Sequence, residues 1–155
     1  MKPKFIDYYM KIATVTAGLS YARRLQVGAV VVKDNQILAT GYNGMPSGWE
    51  NVCETEMMDF PDESVDDSLP LLVRLKTKPE VLHAETNAIA KVARSTESSQ
   101  GATLFCTHSP CIECAKLIYQ SGISTVYYKE DYRDDQGINF LKLSGVNVHR
   151  YTNSL

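Results

Sequence analysis

Three residues in the second half of the chain have the types and spacing of a metal centre. Cys111 and Cys114 stand three apart in Ser109-Pro110-Cys111-Ile112-Glu113-Cys114, and His83 opens His83-Ala84-Glu85. A spacing of three brings two side chains to one face of a helix, so a single turn would present both sulfurs together. The start of a helix favours negative charge and therefore both thiolates. His83 adds a neutral nitrogen. Three protein ligands of mixed nitrogen and sulfur leave zinc's fourth tetrahedral position to water, the pattern of a catalytic site rather than a closed structural one. Glu85 lies two residues from His83 and is not needed as a ligand. It can take and return the proton of a water that zinc has acidified. A structural zinc or a buried Cys pair is the competing interpretation, and it has no use for an unligated carboxylate.

Positioning these groups takes alternating helix and strand. Residues 4–19 space Phe5, Ile6, Tyr9, Ile12, Ala13 and Val15 as one face of a helix. A β-branched run at 26–33, a turn at Asp34-Asn35 and a return strand at 36–42 read as a hairpin. Residues 43–81 are rich in Gly, Pro, Ser and acids and read as a long connection, with a short helix at Leu69–Leu75. Helix is then expected at 84–95 and strand at 102–107. The next helix is expected to start with Ser109 as N-cap and Pro110 in its first position, and to stop at Gly122. A strand at 124–128, a helix at 134–143 ending near Gly145, and a strand at 146–151 complete the order. This predicts one α/β domain over residues 1–155, a three-layer α/β/α fold around a mixed five-stranded sheet. Sites in such sheets gather at the carboxyl ends of strands and the starts of the following helices.

Composition narrows the class. The chain has 155 residues, 44% hydrophobic and 22% charged, enough for one core without disulfides. No apolar run approaches the roughly 18 residues of a membrane helix, and the first residues do not read as a signal peptide. A soluble, cytoplasmic protein with no membrane partner is expected. Eight of the 18 acids fall in residues 50–67, which hold no Lys or Arg. They read as a solvated acidic loop. The remaining 16 basic and ten acidic residues give the body a net charge of +6, which suits a small anionic ligand. No dense basic stripe marks a nucleic-acid binder. Cys53 and Cys106 complete four unevenly spaced cysteines, which do not form a disulfide framework. Cys106 alternates into an apolar strand and is expected to be buried and inert. His149 reads as structural, and His108 as either near the site or a packing residue.

His-x-Glu with Pro-Cys-x-x-Cys is the signature of zinc nucleobase deaminases. With it, the chain resembles the cytidine deaminase superfamily, and within that the deoxycytidylate (dCMP) deaminase branch. The resemblance covers most of the chain: Gln26-Val27-Gly28-Ala29, then Gly41-Tyr42-Asn43-Gly44-Met45-Pro46 with Gly48. It continues through His83-Ala84-Glu85 with Asn87-Ala88-Ile89, Pro110-Cys111, Cys114-Ala115-Lys116 and Gly122-Ile123. The zinc residues are shared across the superfamily, and Gly-Tyr-Asn-Gly points to the dCMP branch.

The resemblance implies a cytidine deaminase-like fold and hydrolysis of dCMP to dUMP and ammonia. One Zn²⁺ would sit on His83, Cys111 and Cys114. Glu85 would protonate ring nitrogen N3 and later the departing amine. Asn43 resembles the residue facing the substrate sugar or base, and Tyr132 the tyrosine beside the nucleotide. Backbone groups of Ala84 and Ser109 would hold the cytosine edge. Arg23 and Arg24 are the candidates for the 5′-phosphate, although Ser20-Tyr21-Ala22-Arg23-Arg24-Leu25 departs from the branch's Lys-Asp-Pro type of run. The branch implies a homo-hexamer activated by dCTP with Mg²⁺ and inhibited by dTTP, through a loop resembling Gly41, Tyr42, Asn43 and Gly44. Those glycines could instead merely permit a tight turn. With only Cys53 and no His at 44–82, a second zinc is not expected. Competing functions are deamination of another cytosine nucleoside or nucleotide, deamination of tRNA adenosine, and a non-catalytic zinc-stabilised nucleotide sensor.

Overall fold

The computed structural model describes residues 1–59 and 72–152. It opens with helix α1 (Pro3–Ala17) and the hairpin β1 (Gly28–Lys33) and β2 (Gln36–Tyr42). Asp34 and Asn35 make the turn with φ of 51° and 59°, the left-handed pair a two-residue hairpin requires. Strands β3 (Glu54–Asp59) and β4 (Leu72–Thr77) follow. The rest alternates: α2 (Ala84–Ala93), β5 (Thr103–His108), α3 (Ile112–Gln120), β6 (Thr125–Glu130), α4 (Gln136–Leu143) and β7 (Asn147–Arg150).

The main sheet has five strands in the order β2-β1-β5-β6-β7. β1 pairs antiparallel with β2 and β5, whereas β5–β6 and β6–β7 are parallel. The mixed five-stranded sheet expected from the sequence is therefore present. Its central strands are apolar throughout because both faces are covered. Ala29, Val31, Leu104 and Cys106 belong to the core that includes residues of α2, α3 and α4. Val30, Val32 and Phe105 face α1 through Tyr9, Met10 and Ala13. Under α1 a row of rings crosses the sheet, with centroids 5.4 Å apart for Tyr9–Phe105, 5.1 Å for Phe105–Tyr127 and 4.9 Å for Tyr127–His149. His149 is thus a stacking residue of the last strand.

Two expectations are corrected. Part of the long connection is a second sheet: β3 and β4 pair antiparallel from Glu54↔Thr77 to Asp59↔Leu72. Of the short helix expected at Leu69–Leu75, the described part, 72–75, is strand. Val-Arg-Leu-Lys-Thr alternates but Glu-Thr-Glu-Met-Met does not, and cross-strand pairing settles a segment that local preference left open. The remainder of that expectation, and residues 60–67 of the acidic run, lie outside the described residues. The acidic run is not uniformly solvated either, because Glu54 is only 6% exposed.

The second correction concerns the start of α3. Its N-cap is Cys111, not Ser109, and Pro110 precedes the helix. Ser109 is already committed to the sheet. Its N–H donates to the Glu130 carbonyl at 2.8 Å, and its Oγ accepts the Tyr132 N–H at 2.7 Å. That shift of two residues puts Cys111 at the helix mouth and Cys114 in its first turn. Among the described residues, no helix is long and apolar enough to cross a membrane.

Candidate active site

Two helix starts converge at the carboxyl end of β5. His83 is the N-cap of α2, and Cys111 is the N-cap of α3. His83 Nδ1 lies 3.6 Å from Cys111 Sγ and 3.3 Å from Cys114 Sγ, and all three donor atoms fall within 4.8 Å of one another. Zinc bonds of about 2.3 Å to sulfur and 2.0–2.1 Å to nitrogen require, at a tetrahedral angle, an S···N separation of about 3.6 Å. The donor set and its spacing therefore fit zinc.

Electrostatics agree with the donor set. The Cys111 thiol is held far below its ordinary value, first by a hydrogen bond from Cys114 and then by His83. Cys114 is raised because its thiol donates its proton to the Cys111 thiolate, and burial adds to the effect. The Cys111 thiolate holds His83 above its ordinary value against the opposing effect of burial. A dication on the three donors would replace the shared proton.

Glu85 stands in the first turn of α2 and is 4% exposed. Burial raises its carboxyl pKa. A carboxyl raised in this direction is a better proton acceptor than an exposed one, which suits a group that takes and returns protons. Its neighbour Cys106 is fully buried, with a thiol pushed well up by desolvation first and by Glu85 second, so it is not a nucleophile.

His83, Glu85 and Cys111 line a pocket of about 220 Å³. Asn43, Ala84, Ser109 and Tyr132 line it as well. The Asn43 amide is fully engaged: Oδ1 accepts the Val27 N–H and Nδ2 donates to the Leu25 carbonyl, each at 2.8 Å. It fixes the wall from residue 25 to residue 27. Because the Ser109 N–H is spent on Glu130, a base-edge contact from Ser109 falls to its carbonyl. The two arginines part company. Arg24 lines the pocket, whereas the exposed Arg23 guanidinium is ion-paired with Glu56 at 2.8 Å.

Gly41 and Tyr42 belong to β2 rather than to a tight turn. A Cβ on Gly41 would lie 2.1 Å from the Ala84 carbonyl oxygen and 2.6 Å from the Ala88 nitrogen. The glycine lets β2 approach the first turn of α2, which carries Glu85. Asn87 Nδ2 donates to the Tyr42 carbonyl at 2.8 Å and locks the same contact. Gly44 has open space around it and pairs with Leu82.

Sequence reasoning missed two wall residues, Glu54 and Thr77, and a neighbour of the wall, Arg133. Glu54 Oε1 accepts the Arg23 N–H at 3.0 Å and the Arg24 N–H at 3.1 Å. Thr77 Oγ1 accepts from Arg24 Nη1 at 3.2 Å. Arg133 stacks over the Tyr132 ring at 5.2 Å. The alternation of Val73, Leu75 and Thr77 with Arg74 and Lys76 was the available signal for Thr77, whereas nothing local marked Glu54. His108 lines the pocket, and burial lowers its pKa, so the imidazole is neutral at pH 7.

An α/β/α sandwich that presents a His-Cys-Cys zinc site and a buried glutamate at two helix starts defines the cytidine deaminase-like class of metal hydrolases. Residues 3–130 match the family model for the cytidine and deoxycytidylate deaminase zinc-binding region, and the chain belongs to that family. It is 36% identical over 153 residues to the deoxycytidylate deaminase of Saccharomyces cerevisiae, covering 98% of this chain and 46% of the yeast protein. Thus it spans about half the length of that relative. It is 37% identical to the deoxycytidylate deaminase of Mycobacterium phage D29, covering 84% of this chain and 98% of the phage protein. Among solved structures, the dCMP deaminase of cyanophage S-TIM5 in complex with dCMP and dUMP superposes with a TM-score of 0.82. That pair is 44% identical, with 97% and 99% of the two chains covered.

Proposed function

We propose that this chain hydrolyses dCMP to dUMP and ammonia. The observation that carries the reading is the buried Glu85 beside the His83–Cys111–Cys114 triad, at the base of a pocket whose wall carries Arg24. The similarity to proteins named deoxycytidylate deaminase supports the substrate. His83, Cys111 and Cys114 would hold the zinc. When bound, zinc supplies a Lewis acid that makes water nucleophilic at neutral pH.

The chain's own residues do the rest. Glu85 takes a proton from the attacking water and delivers it to N3 of cytosine, then takes the second proton from the same oxygen, now bonded to C4, and hands it to the departing amine. Its burial keeps bulk water from competing for those protons. The Ser109 carbonyl and the Ala84 backbone face the base edge, Asn43 fixes the wall against the sugar, and Tyr132 covers the nucleotide. Arg24 takes the 5′-phosphate by a charge-assisted bond. Arg23, already paired with Glu56, contributes through its backbone.

Regulation belongs to the same proposal. dCTP with Mg²⁺ activates and dTTP inhibits a homo-hexamer, through the segment Gly41, Tyr42, Asn43 and Gly44. Support comes from the contact of Gly41 and Tyr42 with the helix that carries Glu85. Four free cysteines and a thiolate metal site suit a reducing compartment, and we assign the protein to the cytoplasm.

The test is ammonia release from dCMP, CMP, deoxycytidine and cytidine, with and without dCTP–Mg²⁺, with zinc content and sedimentation determined on the same sample. Preferential turnover of dCMP with about one zinc per chain is expected. Zinc without turnover on any of the four would overturn the enzymatic reading. A monomer unmoved by either triphosphate would overturn the regulatory one.

A further inference from the structure

A groove of about 500 Å³ adjoins the catalytic pocket, and Arg24 lines both. Its other lining residues are Met57, Arg74, Leu75, Lys76 and Arg133. Four cations from three separate segments meet there, and among the described residues no acid lines the groove. β4 supplies Arg74 and Lys76 on one face of the strand, the segment after β6 supplies Arg133, and the segment before β1 supplies Arg24. Among the described residues, Arg74, Lys76 and Arg133 form no ion pair. Arg24 is held in place by Thr77 and, through its backbone, by Glu54.

A nucleoside monophosphate presents one phosphate, which Arg24 can meet at the boundary between the two cavities. Three further cations then lie beyond it with no ion-pair partner among the described residues. We infer that this groove is a subsite for a phosphate chain: a nucleotide in the catalytic pocket can extend a second and third phosphate over Arg74, Lys76 and Arg133. The inference rests on the dCMP reading for the orientation of the nucleotide. Each added phosphate would gain charge-assisted bonds from cations already facing the groove. The hairpin β3–β4 is then the element that distinguishes a phosphate chain from a single phosphate.

The experiment measures binding of dUMP, dUDP and dUTP to the zinc-loaded protein by calorimetry, without added Mg²⁺, and their inhibition of dCMP turnover. Affinity is expected to rise at least about tenfold with each added phosphate, with all three competitive against dCMP. In the double variant Arg74→Ala/Lys76→Ala the ratio between dUMP and dUTP affinity is expected to collapse. The wild-type ranking carries the test should that variant not fold. Equal affinities for the three nucleotides would overturn the inference and leave the groove to the chain's own acids or to another partner. Tighter dUTP binding that is non-competitive with dCMP would also overturn it, in favour of a separate effector site. Because calorimetry needs no turnover, failure of the dCMP reading shows as absent ammonia release, independently of the ranking.

Discussion

Glu54 and Arg24 stand thirty residues apart in the chain and are joined through the Arg24 backbone, whose N–H donates to Glu54 Oε1 at 3.1 Å. The same oxygen accepts the Arg23 N–H, so one buried carboxylate satisfies two consecutive amides. Glu54→Ala strands both and is expected to cost about 2–4 kcal/mol, read as a lower denaturant midpoint. Glu54→Gln retains an acceptor oxygen but loses the charge assistance. That variant is expected to fold, with KM for dCMP raised more than kcat is lowered, because Arg24 is less firmly held. An unchanged KM in the folded Gln variant would separate Glu54 from nucleotide positioning.

Glu85→Gln is nearly isosteric and removes only the transferable proton. Burial that raises the carboxyl pKa also makes the neutral amide easy to accommodate. The variant is therefore expected to keep its zinc and its melting temperature while losing about 10²–10⁴-fold in kcat. Wild-type turnover in a zinc-loaded Gln variant would assign the proton transfers elsewhere.

Metal removal acts differently, since it touches fold and chemistry together. Without a dication, Cys111 and Cys114 share a proton and His83 leans on the resulting thiolate. Chelation at neutral pH is expected to abolish turnover and lower the melting temperature, because a ligand that binds only the folded state stabilises it by mass action. Readdition of zinc is expected to restore both. Full activity at a zinc content of zero would remove the metal from the reaction.

How much of this was visible in the sequence follows from the range of the forces involved. His83, Glu85, Cys111 and Cys114 declare themselves within two short motifs, because helix starts and one-turn spacing are local properties. The main sheet was readable because its strands are buried on both faces and run as apolar blocks, as in Val30-Val31-Val32. Glu54 was not readable. Its neighbours Glu50, Glu56 and Asp59 suggest a solvated run, and only the pairing of β3 with β4 and the return of Arg23–Arg24 bury it. Ser109 looked like a helix cap for the same reason: its competing partners, Glu130 and Tyr132, lie beyond the helix that it precedes. Non-local partners decided each of these cases against a sound local preference.

The Gly41-Tyr42-Asn43-Gly44 segment packs on α2, and the proposed function gives it effector binding as well; its two glycines separate the packing from the proposed regulation. Gly41→Ala would drive a methyl into the Ala84 carbonyl and the Ala88 amide, both backbone atoms of α2. It is expected to destabilise by at least about 1–3 kcal/mol and to weaken zinc binding, since α2 carries His83 and Glu85. Gly44→Ala meets only the Tyr42 ring, at 3.9 Å, and is expected to leave stability and zinc content unchanged. A loss of dCTP activation in Gly44→Ala would then support the proposed effector role of this segment. Equal destabilisation by both variants would refute the packing account of Gly41.

Tyr151 ties the end of the sheet to α1 by donating its hydroxyl to Asp7 Oδ1. Burial, followed by the Asp7 carboxylate, pushes its pKa up to about 12 from an ordinary 10.0. The folded chain therefore keeps this proton over a range where the unfolded chain has released it. The contribution is fully present below about pH 10 and is lost as pH climbs through about 12. Asp7 is the acid-side counterpart. Lys11 first and Tyr151 second hold its pKa below 3.8, so its share is present above that value and is lost as pH falls through the lowered one. Tyr151→Phe is accordingly expected to be less stable than wild type at neutral pH, with the gap closing on both flanks. Urea melts of the two proteins from about pH 3 to about pH 12 read that gap directly. A gap that stays constant through the alkaline limb would mean that the hydroxyl acts by packing alone, because a bond that depends on the Tyr151 proton cannot outlast it.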